Sequence, residues 1–344
     1  MTEDGAEDCE AGEDGHGDEP VTTNTDIENP GMGRSTPTEP RSPRLSYLYP
    51  SIPAYHLYYL SSQSHLCHSK MSTLFTLPIA QCGAHPGGTL TCTEPSPRVY
   101  LLTLVSPPDN RLTTPVLNAF LNALDIIEFG YPHGVVATTS GIQKFYSNGL
   151  DLEHAVATEG FWHLLYSVWN RFLTYPMPTV ALMNGHAFAG GLMLATAQDY
   201  RLAPSPRGFL CLNELIFGAP LKPAMSALFR VKYSHATYRS LVLEAKRFTG
   251  EDAVAAGIAD DIAPKGVEDL LRFIKEKELI DKSKSGVYGV LKMEMYAGLV
   301  EFMKGPSMEA HEQRFDDAQA MEGERKEFGK VWYEQWLKDV KAKL

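Results

Sequence analysis

Two glycine-containing segments have the residue pattern of an anion site built from backbone N–H groups. The first, FYSNGLDL at residues 145–152, contains Gly149, which permits a tight turn after which the Leu150 N–H can point into a cleft. The second, PTVALMNGHAFAGG at residues 178–191, has the pattern of a strand, a turn and a helix start, where the Gly190 N–H is unpaired and lies in positive potential. Two such donors directed at one oxygen stabilise the enolate that forms when a thioester loses an α-proton. The alternative is that these glycines only allow a helix to pack closely on a strand.

The two segments resemble the paired oxyanion-hole signatures of the crotonase (enoyl-CoA hydratase/isomerase) superfamily. Two further matches follow in the family's order, QDYRLA at residues 198–203 and FTGEDAVAAGIA at residues 248–259, so the resemblance covers about residues 98–310. It implies an α/β fold, a ββα superhelix, in which Leu150 and Gly190 supply the oxyanion-hole N–H groups. It also implies that neighbouring positions contact an acyl-CoA substrate. These substrate-binding candidates are Lys144, Ser147, Asn148, Gly149, Asp151 and Gly191.

A third segment, LNELIFG at residues 212–218, indicates the reaction. In the hydratases of this family two glutamates add water across a double bond, and the first lies three residues beyond the second oxyanion glycine; here that position is Met193. A thioether cannot exchange the proton, so hydration by two carboxylates is not expected. The second position is Glu214, and one carboxylate suffices to take a proton from C2 of a 3-enoyl thioester and return it at C4. The segment therefore resembles the Δ3,Δ2-enoyl-CoA isomerases, especially the peroxisomal plant type.

The residues around Glu214 are predicted to favour its neutral form. The apolar side chains of Leu212, Leu215, Ile216 and Phe217 flank it in the sequence. Exclusion of water by such side chains raises the pKa of a carboxyl group toward the range that proton transfer requires. The alternative is a glutamate at the surface or at a helix cap.

Five polar residues near these segments have simpler interpretations than substrate contact. His186 fits a packed histidine beside a turn, and His154 fits a solvated helix start as well as the mouth of a pocket. Lys144 could pair with a CoA phosphate, although a lone exposed lysine is a weak signal. Asp151 is better suited to cap the following helix than to touch substrate, and Asp199 is predicted to anchor a turn.

The elements that position these residues begin at residue 99, where short apolar runs alternate with amphipathic segments, as in strands separated by covering helices. The predicted strands are residues 99–104, 135–139, 179–183, 200–203 and 208–212. The predicted helices are residues 115–129, 161–175 and 191–198, and an amphipathic run extends from about residue 307 to residue 343. Residues 1–97 lack such periodicity and are rich in Gly, Pro, Ser, Thr and acids. We therefore divide the chain into a disordered extension (1–97), a crotonase-like ββα core (98–265) and a C-terminal helical region (266–344).

The composition excludes several classes of partner and site. The net charge of the chain is -11, but residues 1–33 carry eleven acids and no Lys or Arg, which leaves 31 acids against 31 bases in the remainder. A neutral folded part favours neither nucleic acid nor an anionic membrane surface. The five cysteines form no CxxC pair, so neither a disulfide framework nor a metal site is expected. The one long apolar run, residues 179–198, is interrupted by polar residues and glycines and fits a strand entering a helix better than a membrane span. No separate cofactor is expected, because coenzyme A is part of the substrate.

The last three residues predict a location. The chain ends in Ala342, Lys343 and Leu344, a close variant of the Ser-Lys-Leu peroxisomal signal. This ending predicts recognition by the peroxisomal import receptor and delivery to the matrix, where oxidation of unsaturated fatty acids generates 3-enoyl intermediates. The family resemblance further implies a homotrimer or a hexamer.

Two alternatives to the isomerase remain open. One is a hydratase or thioester hydrolase of the same fold, with water activated elsewhere in the site. The other is a catalytically silent acyl-CoA-binding or scaffold protein whose N-terminal extension recruits partners. The acid and tyrosine content of the extension favours the scaffold, whereas the intact oxyanion motifs favour an enzyme.

Overall fold

The computed structural model describes residues 72–342, which contain ten strands, thirteen α-helices and two short 3-10 helices, Ser283–Ser285 and Glu301–Met303. The strands are β1 (Ser72–Ile79), β2 (Gly88–Ser96), β3 (Val99–Val105), β4 (Val135–Ser140), β5 (Phe145–Ser147), β6 (Thr179–Leu182), β7 (His186–Phe188), β8 (Tyr200–Ala203), β9 (Leu210–Cys211) and β10 (Asp261–Ile262). The helices are α1 (Thr114–Gly130), α2 (Leu152–Ala157), α3 (Phe161–Leu173), α4 (Gly190–Ala197), α5 (Glu214–Phe217), α6 (Pro223–Lys232), α7 (His235–Val242), α8 (Gly250–Ala255), α9 (Val267–Glu276), α10 (Leu279–Lys282), α11 (Tyr288–Met295), α12 (Ala297–Val300) and α13 (Gly305–Lys341).

The strands form two sheets, and their order produces a repeated ββα unit. The larger sheet has seven strands in the order β1-β2-β3-β4-β6-β8-β10, antiparallel from β1 to β3 and parallel from β3 to β10. The smaller sheet has three parallel strands in the order β5-β7-β9. Each of β4, β6 and β8 is followed by a strand of the smaller sheet and then by a helix. The predicted α/β class with ββα units is therefore confirmed.

The central strands of the larger sheet are apolar on both faces because both faces are covered. Val99 and Leu101 belong to a cluster that includes Phe273 of α9. The alternate residues Tyr100 and Leu102 belong to a larger cluster that includes side chains of α1, α3 and α4. Side chains alternate between faces along a strand, so burial on both sides requires the near-continuous apolar runs that make these strands recognisable in the sequence.

The predicted strands and helices agree with the observed ones to within two residues at each end, and the greatest shortening of a strand is at β9. This strand contains only Leu210 and Cys211, where the apolar pattern predicts residues 208–212. Gly208 has φ +128°, and a Cβ built there would lie 2.6 Å from Pro204. The close approach of Gly208 to Pro204 keeps the chain out of the extended strand conformation until Leu210.

The prediction that the whole of residues 1–97 is disordered is wrong for residues 72–97. These residues form β1 and β2, which pair with each other and, through β2, with β3. Leu90 and Cys92 are fully buried under this pairing. The segment does carry a strand signal, four apolar residues in β1 and the alternation of Leu90 and Cys92 with threonines in β2, but the Gly, Pro and Thr residues around it obscure that signal. Residues 1–71 lie outside the described residues, and the boundary at residue 265 stays a prediction.

Helix α13 continues for 37 residues and is mostly in contact with solvent. Within it only Met308 is buried. Large apolar side chains near its end are exposed; they are Met321, Phe328, Val331, Trp332, Tyr333 and Trp336. Among the helices of residues 72–342, none combines the length and apolarity needed to cross a membrane.

Candidate active site

A cavity of about 680 Å³ contains all three predicted catalytic positions, Leu150, Gly190 and Glu214, in its wall. Its other walls come from α2, α3, α6 and α13. The larger apolar side chains that line it are Trp162, Met193, Phe217, Met225 and Phe315. A polar group placed in such a cavity has weak competition from water, so its interactions with a ligand are strengthened.

The direction of the Leu150 N–H is set by the peptide bond that it shares with Gly149. The Gly149 carbonyl accepts a hydrogen bond from the Leu112 N–H at 2.9 Å. In a planar trans peptide the C=O and N–H point in opposite directions, so this bond directs the Leu150 N–H away from Leu112. Gly149 has φ +86°, a conformation that glycine adopts without strain. Within residues 72–342 the Leu150 N–H donates to no other group, and it remains free for a ligand.

The direction of the Gly190 N–H is likewise set by the peptide bond that it shares with Ala189. The Ala189 carbonyl accepts the first hydrogen bond of α4 from the Met193 N–H at 3.1 Å, so the Gly190 N–H points outward from the helix start. Ala189 has φ +48°, a strained value for a residue with a Cβ. Gly190 is thus the first residue of an eight-residue helix, and its N–H makes no other hydrogen bond within the described chain.

The two N–H groups border the same small space. A Cβ built on Gly149 would lie 3.1 Å from the Gly190 nitrogen, and one built on Gly190 would lie 3.3 Å from the Leu150 nitrogen. Side chains at these glycines would therefore occupy the gap between the two segments. The arrangement can bind one oxygen atom with two backbone donors.

Glu214 supplies a carboxyl group to this cavity. Its Oε2 atom is buried and has no hydrogen-bond partner within the described chain. Burial raises the pKa of Glu214 from 4.5 to about 7, and the hydrogen bond with its own backbone opposes only part of that rise. At neutral pH both the neutral and the ionised form are therefore populated, which suits a group that takes up and releases a proton.

The expected cause of this pKa rise is only partly correct. Leu212 is buried, but Leu215 and Ile216 are 56% and 67% exposed and do not border the cavity. They are not placed to exclude water because α5 is a single short turn that directs them to the surface. Of the flanking residues that follow Glu214, only Phe217 lines the cavity. Met193, which is 1% exposed, contributes a further apolar wall where a hydratase of this type has a carboxylate.

Of the six predicted substrate-binding residues, Asn148 lines the cavity and the other five do not. Ser147 is fully buried and accepts the Gly149 N–H at 3.2 Å, so it supports the turn. Gly191 allows close packing, since a Cβ there would overlap the Ser147 carbonyl oxygen. Lys144 is exposed, with its ammonium 5.2 Å from the centre of the Phe145 ring. Direct contact of these residues with substrate stays a prediction.

Asp151 caps α2, the role preferred from the sequence. One carboxylate oxygen accepts the His154 N–H at 3.1 Å, and the other lies 3.0 Å from Nε2 of His85. His154 is not a solvated residue, because its ring nitrogens contact Thr114, Thr158 and Cys82. It is not among the residues that line the cavity.

The two remaining polar candidates have structural contacts. His186 packs among the rings of Phe145, Phe188 and Phe209, and its Nδ1 accepts the Phe209 N–H at 3.0 Å. Asp199 accepts the Thr179 N–H at 2.9 Å, which anchors the turn before β8 as predicted. It also forms a buried ion pair with Lys292 at 2.8 Å.

Several cavity residues were not recognised from the sequence. Arg111 borders the cavity beside the oxyanion segment and donates to the Leu150 carbonyl at 2.9 Å. Its position after β3, at the carboxyl end of a parallel strand, was the available signal. Phe315 of α13 also lines the cavity. Nearby, Glu312 holds α13 in place by accepting from Tyr166 at 3.1 Å and pairing with Lys222.

The site has the groups that acyl-thioester chemistry requires. Two converging N–H groups can bind a carbonyl oxygen, and a partly neutral carboxyl group in the same cavity can exchange a proton with carbon. No group of three or more His, Cys, Asp and Glu side chains within residues 72–342 is arranged to hold a metal ion.

Comparison with known proteins identifies the family to which this chain is similar. The enoyl-CoA hydratase/isomerase family model matches residues 94–334. Enoyl-CoA delta isomerase 3 of Arabidopsis thaliana is 34% identical over 213 residues, which span 58% of this chain and 90% of that protein. The peroxisomal enoyl-CoA delta isomerase 2 of the same plant is 32% identical over 215 residues, with the same two coverages of 58% and 90%.

A solved structure supports the fold independently. An enoyl-CoA hydratase/isomerase family protein from Pseudomonas syringae superposes with a TM-score of 0.56 at 24% identity, over 63% of this chain and 94% of that one. The predicted crotonase-like fold is thereby confirmed. Since the family model spans most of the sequence as well, the chain belongs to the enoyl-CoA hydratase/isomerase family.

Proposed function

We propose that this enzyme moves a double bond from C3 to C2 of a fatty 3-enoyl-CoA, acting as a Δ3,Δ2-enoyl-CoA isomerase in fatty acid β-oxidation. One observation carries the proposal: the buried, unpartnered carboxyl oxygen of Glu214 lies in the cavity that Leu150 and Gly190 border. Met193 occupies the place of the carboxylate that hydration would require. The names of the two Arabidopsis relatives, both enoyl-CoA delta isomerases, support the same reaction.

The reaction is a 1,3-proton shift in which all atoms of the substrate are retained. The thioester carbonyl oxygen accepts hydrogen bonds from the N–H groups of Leu150 and Gly190. The Glu214 carboxylate takes a proton from C2, and the electrons of the broken C–H bond move into the carbonyl to form an enolate conjugated with the C3–C4 double bond. The neutral Glu214 then donates the proton to C4, the double bond forms between C2 and C3, and the carboxylate is regenerated.

The apolar walls and the raised pKa of Glu214 suit both halves of this cycle. A base of low pKa would hold a proton too weakly to accept it from carbon, and an acid of high pKa would not return it. The proposed pathway needs no separate cofactor, because coenzyme A enters and leaves as part of the substrate.

An assay of purified enzyme with 3-enoyl-CoA substrates of different chain length tests the proposal. We expect growth of conjugated-thioester absorbance with a product of unchanged mass. A product that gains the mass of one water would identify a hydratase, and release of free coenzyme A would identify a hydrolase. Tight acyl-CoA binding without turnover of any enoyl substrate would identify a silent binding protein.

We also propose that the enzyme works in the peroxisomal matrix. The terminal Ala342, Lys343 and Leu344 support this location, although the last two lie outside the described residues. So does the peroxisomal name of a relative that is 32% identical. Deleting these three residues from a chain tagged at its N-terminus should change punctate peroxisomal fluorescence into diffuse cytosolic fluorescence. An Ala342→Ser control restores the Ser-Lys-Leu ending and should keep import; unchanged import of the deletion variant would contradict the assignment.

We further propose that the protein is a homotrimer or a hexamer. The exposed aromatic side chains near the end of α13, among them Phe328, Trp332 and Trp336, support a partner on this helix. The mass of the full chain in solution, measured by light scattering, tests the assembly.

A further inference from the structure

The turn between β1 and β2 lies against the oxyanion segment. Residues 80–87 form this turn, which is closed by two backbone hydrogen bonds between Cys82 and His85, at 3.0 and 2.9 Å. Gly87 has φ +89°, and a Cβ there would overlap the Ile79 carbonyl oxygen. The turn is therefore closely held, and it presents the side chains of Cys82 and His85 to α2.

His85 is hydrogen-bonded to the residue that follows Leu150. Its Nε2 lies 3.0 Å from Oδ2 of Asp151, and the two side chains are only 15% and 21% exposed. Burial alone would raise the pKa of Asp151, but hydrogen bonds from the His154 backbone and from His85 hold it below its usual value. The ionised carboxylate accepts both bonds at once, which fixes its position relative to the β1–β2 turn.

His154 adds a second connection between the same elements. Its Nε2 accepts the Thr114 N–H at 3.3 Å and lies 2.8 Å from the Thr114 hydroxyl, so the ring proton is on Nδ1. Nδ1 lies 3.2 Å from the Thr158 hydroxyl and 3.5 Å from Sγ of Cys82. The start of α1, helix α2 and the β1–β2 turn thus meet at one ring.

Hydrogen bonds hold the backbone on both sides of the Leu150 N–H. On one side the Gly149 carbonyl is held by Leu112, and on the other the Leu150 carbonyl is held by Arg111 at 2.9 Å. Asp151 then connects the segment to His85. Because each peptide unit is planar, holding the groups before and after Leu150 restricts the direction in which its N–H points.

We propose that His85, through Asp151, is a positioning residue that aligns the Leu150 N–H with the substrate carbonyl oxygen; this rests on the proposed function. His85 itself does not border the cavity, so it is not placed to act on substrate directly. The hydrogen bond from the Leu150 N–H to the carbonyl oxygen strengthens as the enolate charge develops, so misalignment of this N–H weakens transition-state stabilisation more than ground-state binding. Loss of His85 should therefore reduce turnover and leave ground-state binding intact.

The test compares His85→Ala with His85→Gln in the full-length enzyme. We expect His85→Ala to lower kcat about tenfold, less than the roughly hundredfold cost of a 1 Å displacement, with KM changed by less than about twofold. His85→Gln should recover most of the rate, because the glutamine side-chain amide can donate to Asp151 from a similar distance. His235→Ala, at an exposed histidine of α7, serves as the matched control and should behave as the wild type.

Two outcomes would overturn the proposal. One is a His85→Ala enzyme with wild-type kcat; the other is a loss that His85→Gln does not recover although both variants melt at the same temperature.

A binding measurement that involves no turnover tests the positioning role of His85 separately from the proposed isomerisation. The probe is acetoacetyl-CoA, whose enolate has its own absorbance: we expect the oxyanion hole to favour this enolate, with a dissociation constant that rises about tenfold in His85→Ala and recovers in His85→Gln. If the wild type binds this enolate and fails to isomerise any 3-enoyl-CoA, the proposed reaction fails while the positioning role is still measured.

Discussion

Glu214→Gln is expected to lower kcat for 3-enoyl-CoA isomerisation about 10³-fold, within the range for loss of a general acid–base group. Glutamine has nearly the same size and fills the same cavity, but its amide cannot take a proton from C2 or return one at C4. Substrate binding should change little, since the oxyanion donors and the apolar walls are retained. The measurement is the initial rate of conjugated-thioester absorbance at saturating substrate.

The control for this substitution is Glu294→Gln, which removes an exposed carboxyl group on α11 and should leave the rate unchanged. The pH profile gives a second readout. Because the pKa of Glu214 is raised to about 7, the base is protonated below that pH, so kcat/KM of the wild type should fall as pH decreases below 7 and level off above it. Glu214→Gln should lose this dependence. A variant that keeps full activity would show that another group is the base.

Gly149→Ala is expected to lower kcat about 10²- to 10³-fold, the typical cost of losing one oxyanion donor. At φ +86° an alanine is strained, and its Cβ would lie 3.0 Å from the Phe188 carbonyl oxygen and 3.1 Å from both the Ala189 Cβ and the Gly190 nitrogen. Relief of these contacts requires the two segments to separate or the peptide bond before Leu150 to rotate. Either movement turns a donor away from the substrate oxygen.

Gly257→Ala provides a matched control for backbone strain. Gly257 has φ +71°, but a Cβ there would meet nothing within 4 Å, so the substitution adds strain without crowding the site. We expect it to lower the melting temperature modestly and to leave kcat near the wild-type value. If Gly149→Ala and Gly257→Ala reduce kcat equally, the crowding of the two amide segments is not the cause, and the assignment of Leu150 as a donor is contradicted.

Local chemistry in the sequence was sufficient to predict the oxyanion segments. Gly149 permits a turn, and Gly190 begins a helix with a free N–H, and both effects depend on residues adjacent in the chain. The central strands were equally predictable, because burial on both faces demands an apolar residue at nearly every position. The cap at Asp151 also depends only on the next three residues.

The surroundings of Glu214 were less predictable. A run of apolar neighbours in sequence suggested that they exclude water, yet Leu215 and Ile216 are exposed on a one-turn helix. The cavity that Glu214 borders is lined largely by residues distant in sequence, such as Trp162 and Phe315. Burial depends on what packs against a residue, and apolar neighbours in the chain do not determine it.

The sequence by itself therefore determined the fold family, and it predicted the two amide donors and the proton-exchanging carboxyl group. Only the tertiary structure decided that β1 and β2 complete the sheet, that α13 closes one wall of the cavity and that His85 reaches Asp151. The physical reason is how far apart in the sequence the contacting residues are. Helix starts, turns and strand patterns depend on residues a few positions apart, whereas the His85–Asp151 and Lys222–Glu312 contacts join residues 66 and 90 positions apart. Such contacts form only when the packing of whole elements brings their side chains together.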